Sequence, residues 1–116
     1  MALTDGGAQV ALDLVGAPTF NSSLRSLALG GRLVVVGNVT ASRVEMNPGY
    51  CILRELSVHG SSGATRAELA EVLDWAATKK LRPVVAERLP LADARRAQER
   101  LLERGVVGRQ VLTAGA

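Results

Sequence analysis

Three apolar runs in this chain each stop at a small residue. Val10–Val15 precedes Gly16, Leu33–Val36 precedes Gly37, and Leu56–Gly60 precedes Ser61. Short apolar runs bounded by small residues read as buried strands. Between them the period changes. Pro18 and Thr19 open a helix in which Phe20, Leu24 and Leu27 fall at i, i+4 and i+7, one buried stripe. Gly30-Gly31 is expected to close that helix through a left-handed glycine. The second strand is Arg32–Val36. A polar loop, Gly37–Asn47, leads to Pro48, which starts a short helix to about Arg54, because a first-turn proline forfeits no hydrogen bond. The first strand is apolar on nearly every residue, as for a strand covered on both faces, with Asp13 the exception.

After the third strand, Thr65-Arg66-Ala67-Glu68 has the spacing of a capping box. The helix it opens carries Leu69, Val72, Leu73 and Ala76 on one face and is expected to end near Lys79-Lys80, cations suited to a helix C-terminus. Val84–Leu89 reads as a strand, with Pro83 keeping Arg82 extended. A helix from about Ala92 to Arg104 stops at Gly105, and Gly108–Thr113 is a last short strand. Strands alternating with helices predict an α/β fold with a parallel sheet and right-handed crossovers. The expectation is one domain over residues 1–116: three strands with their helices, then a strand–helix–strand tail.

Composition narrows what such a fold can be for. The chain has 116 residues, 47% hydrophobic and 22% charged, as in a globular domain with one modest core. No apolar run is long enough to span a membrane, and the first residues lack a basic region followed by an apolar one. A cytoplasmic location is the expectation, with no membrane partner. Cys51 and His59 are the sole cysteine and histidine. No internal disulfide can form, and no metal site is expected from one thiol and one imidazole. Both read as core residues. The net charge of +3 is spread out. Arg95, Arg96, Glu99, Arg100, Glu103 and Arg104 interleave as on a solvated helix face. With Phe20, Tyr50 and Trp75 the only aromatics, no stacking platform for nucleic acid is present.

The strand ends hold the candidate chemistry. Strands that stop at glycine or serine let backbone approach a ligand closely, and an open parallel sheet presents its crevice at the carboxyl ends of its strands. Gly60-Ser61-Ser62-Gly63 before a helix could cradle an anion, although Glu68 argues for an ordinary turn plus cap. Asp13 on a buried strand needs partners, since an unpaired buried carboxylate is costly. No Ser-His-Asp or Cys-His spacing supports a nucleophile, so no catalytic residue is assigned. No G-x-G-x-x-G occurs anywhere.

The runs VALDLVG, GGRLVVVGNVT, NPGYCILRELSVHGS, RPVVAERLPLADARRA and GVVGRQVLTAG resemble, in order and spacing, the C-terminal part of medium-chain dehydrogenases/reductases. The branch they are most similar to is the quinone oxidoreductase and acryloyl-CoA-reductase-like one. The resemblance covers nearly the whole chain from Asp5. It implies half of a Rossmann doubly wound sheet, strands 4, 5 and 6 of the order 3-2-1-4-5-6. It implies NAD or NADP as cofactor of the complete enzyme, with hydride passing to or from a carbonyl- or enone-conjugated substrate. Val15 and Gly16, and Gly37 and Asn38, would lie beside the nicotinamide, mainly through backbone groups. Ser61 joins them after the third strand, and Arg109 matches a basic position that reaches the cofactor pyrophosphate.

The glycine-rich turn, the catalytic domain and any zinc ligands belong to parts of the family pattern not found in this sequence. The chain is therefore read as a truncated oxidoreductase half, inactive alone and binding NAD(P)H weakly or not at all. Two other readings are a complementing subunit of a split oxidoreductase and a non-enzymatic homo-oligomeric remnant or interaction module. Strand Val10–Val15 would lack its family neighbour, leaving an apolar edge without proline or lysine, and such edges pair with another chain. Leu56–Gly60 forms the other edge, where family subunits often join across a two-fold axis. Light scattering of the purified chain should therefore give a homodimer or a higher even-numbered assembly. A stable monomer at high micromolar concentration would overturn that expectation.

Overall fold

The computed structural model describes residues 4–103 and 105–115. They form β1 (Ala8–Asp13), α1 (Ala17–Arg25), β2 (Leu27–Val35), α2 (Pro48–Arg54) and β3 (Ser57–Gly60). There follow α3 (Arg66–Ala77), β4 (Val85–Pro90), a single 3₁₀ turn at Leu91–Asp93, α4 (Ala94–Leu102) and β5 (Arg109–Thr113). The fold class is the expected one: mixed α/β, with every strand pair parallel. The backbone divides after Gly63 into two compact units, one built on the sheet β1-β2-β3 and one on the pair β4-β5. No described helix is long and apolar enough to cross a membrane.

In the first unit, β2 is the central strand. Its inward residue Leu33 is fully buried, with Leu24, Leu27 and Phe20 around it and Ala11, Val35, Tyr50, Cys51 and Leu56 packed outside. Phe20 and Leu24 are the i, i+4 pair of α1, while Leu33 and Val35 are alternate residues of a strand. Both α1 and α2 supply residues to this one core. Two right-handed crossovers stepping the same way across a sheet put their helices on the same side. The opposite face is therefore uncovered, and Val10 and Leu12 are 55% and 67% exposed. The expectation that the first strand is buried on both faces is corrected accordingly.

Three further readings change. α1 ends at Arg25, with Ser26 as its cap, and Leu27 is the first residue of β2 instead of the third step of a helical stripe. Gly30-Gly31 does not close the helix. The β1–β2 register passes from Ala8 beside Leu27 to Val10 beside Arg32, so Ala28–Gly31 loop out of the ladder. Gly30 makes the turn at φ 71°, and a Cβ on Gly31 would lie 2.9 Å from the Ala28 carbonyl oxygen. Proximity along the chain made the glycines look like a helix cap; the ladder uses them as a bulge. His59 is exposed, not a core residue, because it sits on edge strand β3 beside Val34, on the uncovered face. Cys51 is half-buried against the core, as read.

α2 matches its expected span. The Asn47 Oδ1 accepts the Tyr50 N–H at 3.3 Å to start it, and the Arg54 Nη2 donates to the Leu27 carbonyl at 2.8 Å from its last turn. In the second unit, Thr65 and Glu68 form the capping box that starts α3. No α3 residue is buried, and Leu69 and Leu73 stand exposed. α4 lies against β4, burying Ala97 and Leu89, and Arg100 of α4 pairs with Glu87 of β4. The expected helix from Ala92 begins as the 3₁₀ turn. Its expected last residue, Arg104, lies outside the described residues.

The core of the first unit is small, so a cavity at its centre is felt in full. Leu33→Ala should destabilise the chain by about 3–4 kcal/mol. Leu102→Ala, at an exposed site, should change stability by less than about 0.5 kcal/mol, both read by denaturant unfolding.

Candidate functional site

At the carboxyl edge of β1-β2-β3, three chain segments leave the sheet and lock together. The Asp13 carbonyl ends β1 by accepting the N–H groups of Val36 at 2.8 Å and Gly37 at 3.3 Å. The Val15 carbonyl accepts the Val39 N–H at 2.9 Å, so the turn after β1 is tied to the turn after β2. Two glycines make the approach possible. Gly16 stands at φ 92°, where a Cβ would be 2.7 Å from both the Cα and the Oδ1 of Asn38. A Cβ on Gly37 would strike the Leu14 carbonyl. The Ser61 N–H donates to the Val35 carbonyl at 2.9 Å, which carries the third segment to the same edge. Val15, Gly16, Gly37, Asn38 and Ser61 thus stand along one edge of one sheet.

One carboxylate organises the first of these turns. Asp13 is 3% exposed. Its Oδ1 accepts the Gly16 N–H at 2.8 Å and the Val15 N–H at 3.0 Å. The Thr19 hydroxyl lies 2.9 Å from each carboxylate oxygen, and the Ser23 hydroxyl donates to Oδ2 at 2.9 Å. Burial by itself would raise the Asp13 pKa. The backbone N–H bonds from Gly16 and Val15 and the hydroxyls of Ser23 and Thr19 outweigh it and lower the pKa from 3.8 to about 2. Gly16, the N-cap of α1, has no side chain to cap with. Asp13 fastens that helix entry from the strand before it.

Asp13 was legible as a buried acid in need of partners; the partners were not. Thr19 and Ser23 lie i, i+4 apart on α1, a spacing that puts two hydroxyls on one helix face toward the strand end. Val39, whose N–H closes the second turn, had no signal in the sequence beyond following Gly37-Asn38. The turns form an open shelf with apolar Val15, Val36 and Val39 exposed on it. Clefts of about 520 and 490 Å³ lie elsewhere, against Glu87 and Arg100 and against Asn21 and Arg25.

Arg109 belongs to the second unit, where it opens β5. Its N–H donates to the Val84 carbonyl at 2.7 Å. Gly108, at φ 109°, permits that contact, since a Cβ there would be 2.6 Å from the same oxygen. The guanidinium is exposed and has no ion-pair partner among the described residues. The Gly60–Gly63 loop is followed by the capping box, in which a Glu68 oxygen accepts the Thr65 N–H at 2.7 Å. That carboxylate takes the anionic position at the start of α3, and the bond holds the Glu68 pKa below its usual value.

The family model of the zinc-binding dehydrogenases matches residues 1–112. The chain is 39% identical over 105 residues to an acryloyl-coenzyme A reductase of Metallosphaera sedula, covering 90% of this chain and 32% of that protein. Among solved structures, AibC aligns with a TM-score of 0.85 at 44% identity, covering 96% of this chain and 31% of AibC. An NAD-dependent alcohol dehydrogenase aligns with a TM-score of 0.82 at 33% identity, over 95% of this chain and 32% of that enzyme. The chain spans about a third of the length of the curated relatives it matches. Zinc does not fit the residues of this chain by themselves: no group of three His, Cys, Asp or Glu side chains could hold a metal ion among the described residues.

The lowered Asp13 pKa has a definite sign for stability. Asp13 stabilises the fold fully above its unfolded value near 3.8, and that contribution is lost as pH falls through about 2. Asp13→Ala leaves the Gly16 and Val15 N–H groups unpaired and should cost about 2–4 kcal/mol at neutral pH. It should also flatten the acid limb of the stability–pH curve measured by denaturant unfolding between pH 5 and about 2.

Proposed function

This chain belongs to the zinc-binding dehydrogenase family, of the medium-chain dehydrogenase/reductase type, and from that premise we propose that it forms the cofactor-facing C-terminal half of the nucleotide-binding domain of an NAD(P)-dependent oxidoreductase. The observation that carries the reading is the locked pair of turns after β1 and β2, with Ser61 after β3, at the carboxyl edge of a parallel sheet. Open α/β sheets bind ligands along that edge. The residues fit a nicotinamide on chemical grounds. Val15, Val36 and Val39 offer apolar surface to a ring, and the close approach of Gly16 to Asn38 and of Gly37 to the Leu14 carbonyl holds the two turns that carry them together.

When bound, the nicotinamide supplies the hydride. The part of this chain is positional. The turns would line one face of the ring, Asp13 keeps the first turn rigid, the Ser61 hydroxyl would offer a hydrogen bond, and Arg109 of the second unit would offer its guanidinium fork to phosphate oxygens. In this reading no residue of the chain gives or takes a proton. Catalysis then requires a segment with the glycine-rich turn and a substrate domain, in the same polypeptide or in a partner, because no G-x-G-x-x-G lies within these residues.

The exposed row of Val10 and Leu12 on the uncovered sheet face favours assembly with such a segment. Pairing of two copies through the β1 or β3 edge is the other assembly we propose. The lone cysteine suits a cytoplasmic location, which belongs to the same proposal.

Calorimetric titration tests the reading. The chain alone should bind NADH or NADPH no more tightly than about millimolar, since several charge-assisted contacts of about 1.5–3 kcal/mol each are supplied from outside it. Joined to a glycine-rich half from a relative, it should bind far more tightly, and Arg109→Ala should then weaken binding by about 1.5–3 kcal/mol. A micromolar dissociation constant for the chain alone would overturn the need for a second segment. Unchanged affinity in Arg109→Ala would return that residue to the surface of β5.

A further inference from the structure

The register of β4 against β5 decides which side chains share a face. Glu87 stands beside Gln110, Arg88 beside Val111 and Leu89 beside Leu112. Partners in a parallel ladder project to the same side, and neighbours along a strand to opposite sides. Leu89 is buried, and Glu87 pairs with Arg100 of α4, so α4 covers the side that holds Glu87, Leu89 and Gln110. The buried amide of Gln110 agrees with that assignment. Arg88 and Val111 therefore occupy the opposite face. Arg109 precedes Gln110 and lies on that face too, beside Val85.

The ladder skips Ala86, which is a bulge, so Arg88 comes within two rungs of Arg109 on a diagonal. Strand spacing and rise put their Cα atoms about 8 Å apart, within joint reach of two long side chains.

Both arginines are exposed. Among the described residues the ion pairs are Arg95 with Glu99 and Arg100 with Glu87, and neither Arg88 nor Arg109 enters one. The remaining residues of that face are Val85, Pro90, Val111 and Thr113, with no acid among them. Two guanidinium groups side by side without a carboxylate repel each other. An anion with several oxygens reverses the sign, and the planar guanidinium fork matches phosphate oxygens in pairs. Gly108 and the Arg109–Val84 backbone bond fix the backbone from which one of the two cations extends.

We propose that Arg88 and Arg109 together clamp a pyrophosphate diester, the group shared by nicotinamide dinucleotides and coenzyme A. Arg88 is the residue this adds. That the anion belongs to a cofactor rests on the function proposed above; the pairing of the two arginines rests on the β4–β5 register alone.

The test follows the arginine Nε–Hε signals of the full chain by NMR, with inorganic pyrophosphate as probe. The Arg88 and Arg109 signals should move along one binding curve. Arg88→Gln and Arg109→Gln should each weaken pyrophosphate about tenfold, with backbone spectra that overlay those of the parent. Arg96→Gln, on α4, should leave it unchanged, and Arg88→Lys, which keeps the charge without the fork, should fall between. NADH, NADPH and coenzyme A are then added in competition to identify the source of the diester.

Weakening in Arg109→Gln but not in Arg88→Gln would overturn the clamp and leave the proposed function standing. Displacement by coenzyme A but not by NADH or NADPH would keep the clamp and count against the cofactor reading. Failure of all three to displace pyrophosphate would overturn the assignment to a diester. Equal shifts across all exposed arginines would mean unspecific attraction and overturn the clamp.

Discussion

The Asp13 carboxylate is the contact on which the first unit turns. It ends a strand, holds the next turn by two amide N–H groups and takes two hydroxyls from the helix that follows. A carboxylate out of water is costly unless its lone pairs are filled. Here they are filled by groups that would otherwise be left open at a helix start, so each side of the contact resolves the other's deficit. The consequence is geometric. With Val15 and Gly16 held from below, the Val15 carbonyl points to Val39, and the second turn is placed by the first. The candidate site is backbone held by backbone, with one buried charge as its fastener.

The uncovered sheet face follows from topology. Both helices of the first unit lie on the side that the handedness of crossovers dictates, and the core forms there around Leu33. The other side keeps its apolar residues without a helix of the first unit to receive them. The exposed Leu69 and Leu73 of α3 pose the same question in the second unit. Apolar faces of this kind are what a larger assembly or a longer polypeptide would bury. A shelf of turns likewise makes one wall of a ligand site, which needs a second.

The two units treat arginine differently. Arg100 is paired with Glu87 under α4, and Arg95 with Glu99 along it, as the interleaved charges of that helix suggest. Arg88 and Arg109 stand on the far face of the same small sheet without an ion-pair partner among the described residues. Charge alternation counted along the chain cannot distinguish these cases, because it is blind to which face of a strand a residue occupies.

Much of the fold was legible in the sequence. Apolar runs ending in glycine marked the parallel strands, Pro48 marked α2, and the Thr65–Glu68 spacing marked α3. These are local signals, set by backbone sterics and by hydrogen bonds that close within a few residues, so the sequence by itself determined them. The family pattern also named Val15, Gly16, Gly37, Asn38, Ser61 and Arg109. What only the tertiary structure decided depends on strand pairing. The ladder made Gly30-Gly31 a bulge instead of a helix cap. It put Leu27 into a strand, His59 on an outer face, and Arg88 beside Arg109. It also supplied the partners of Asp13. Each of these turns on register between segments distant in the chain, and a one-residue change of register moves a side chain to the opposite face.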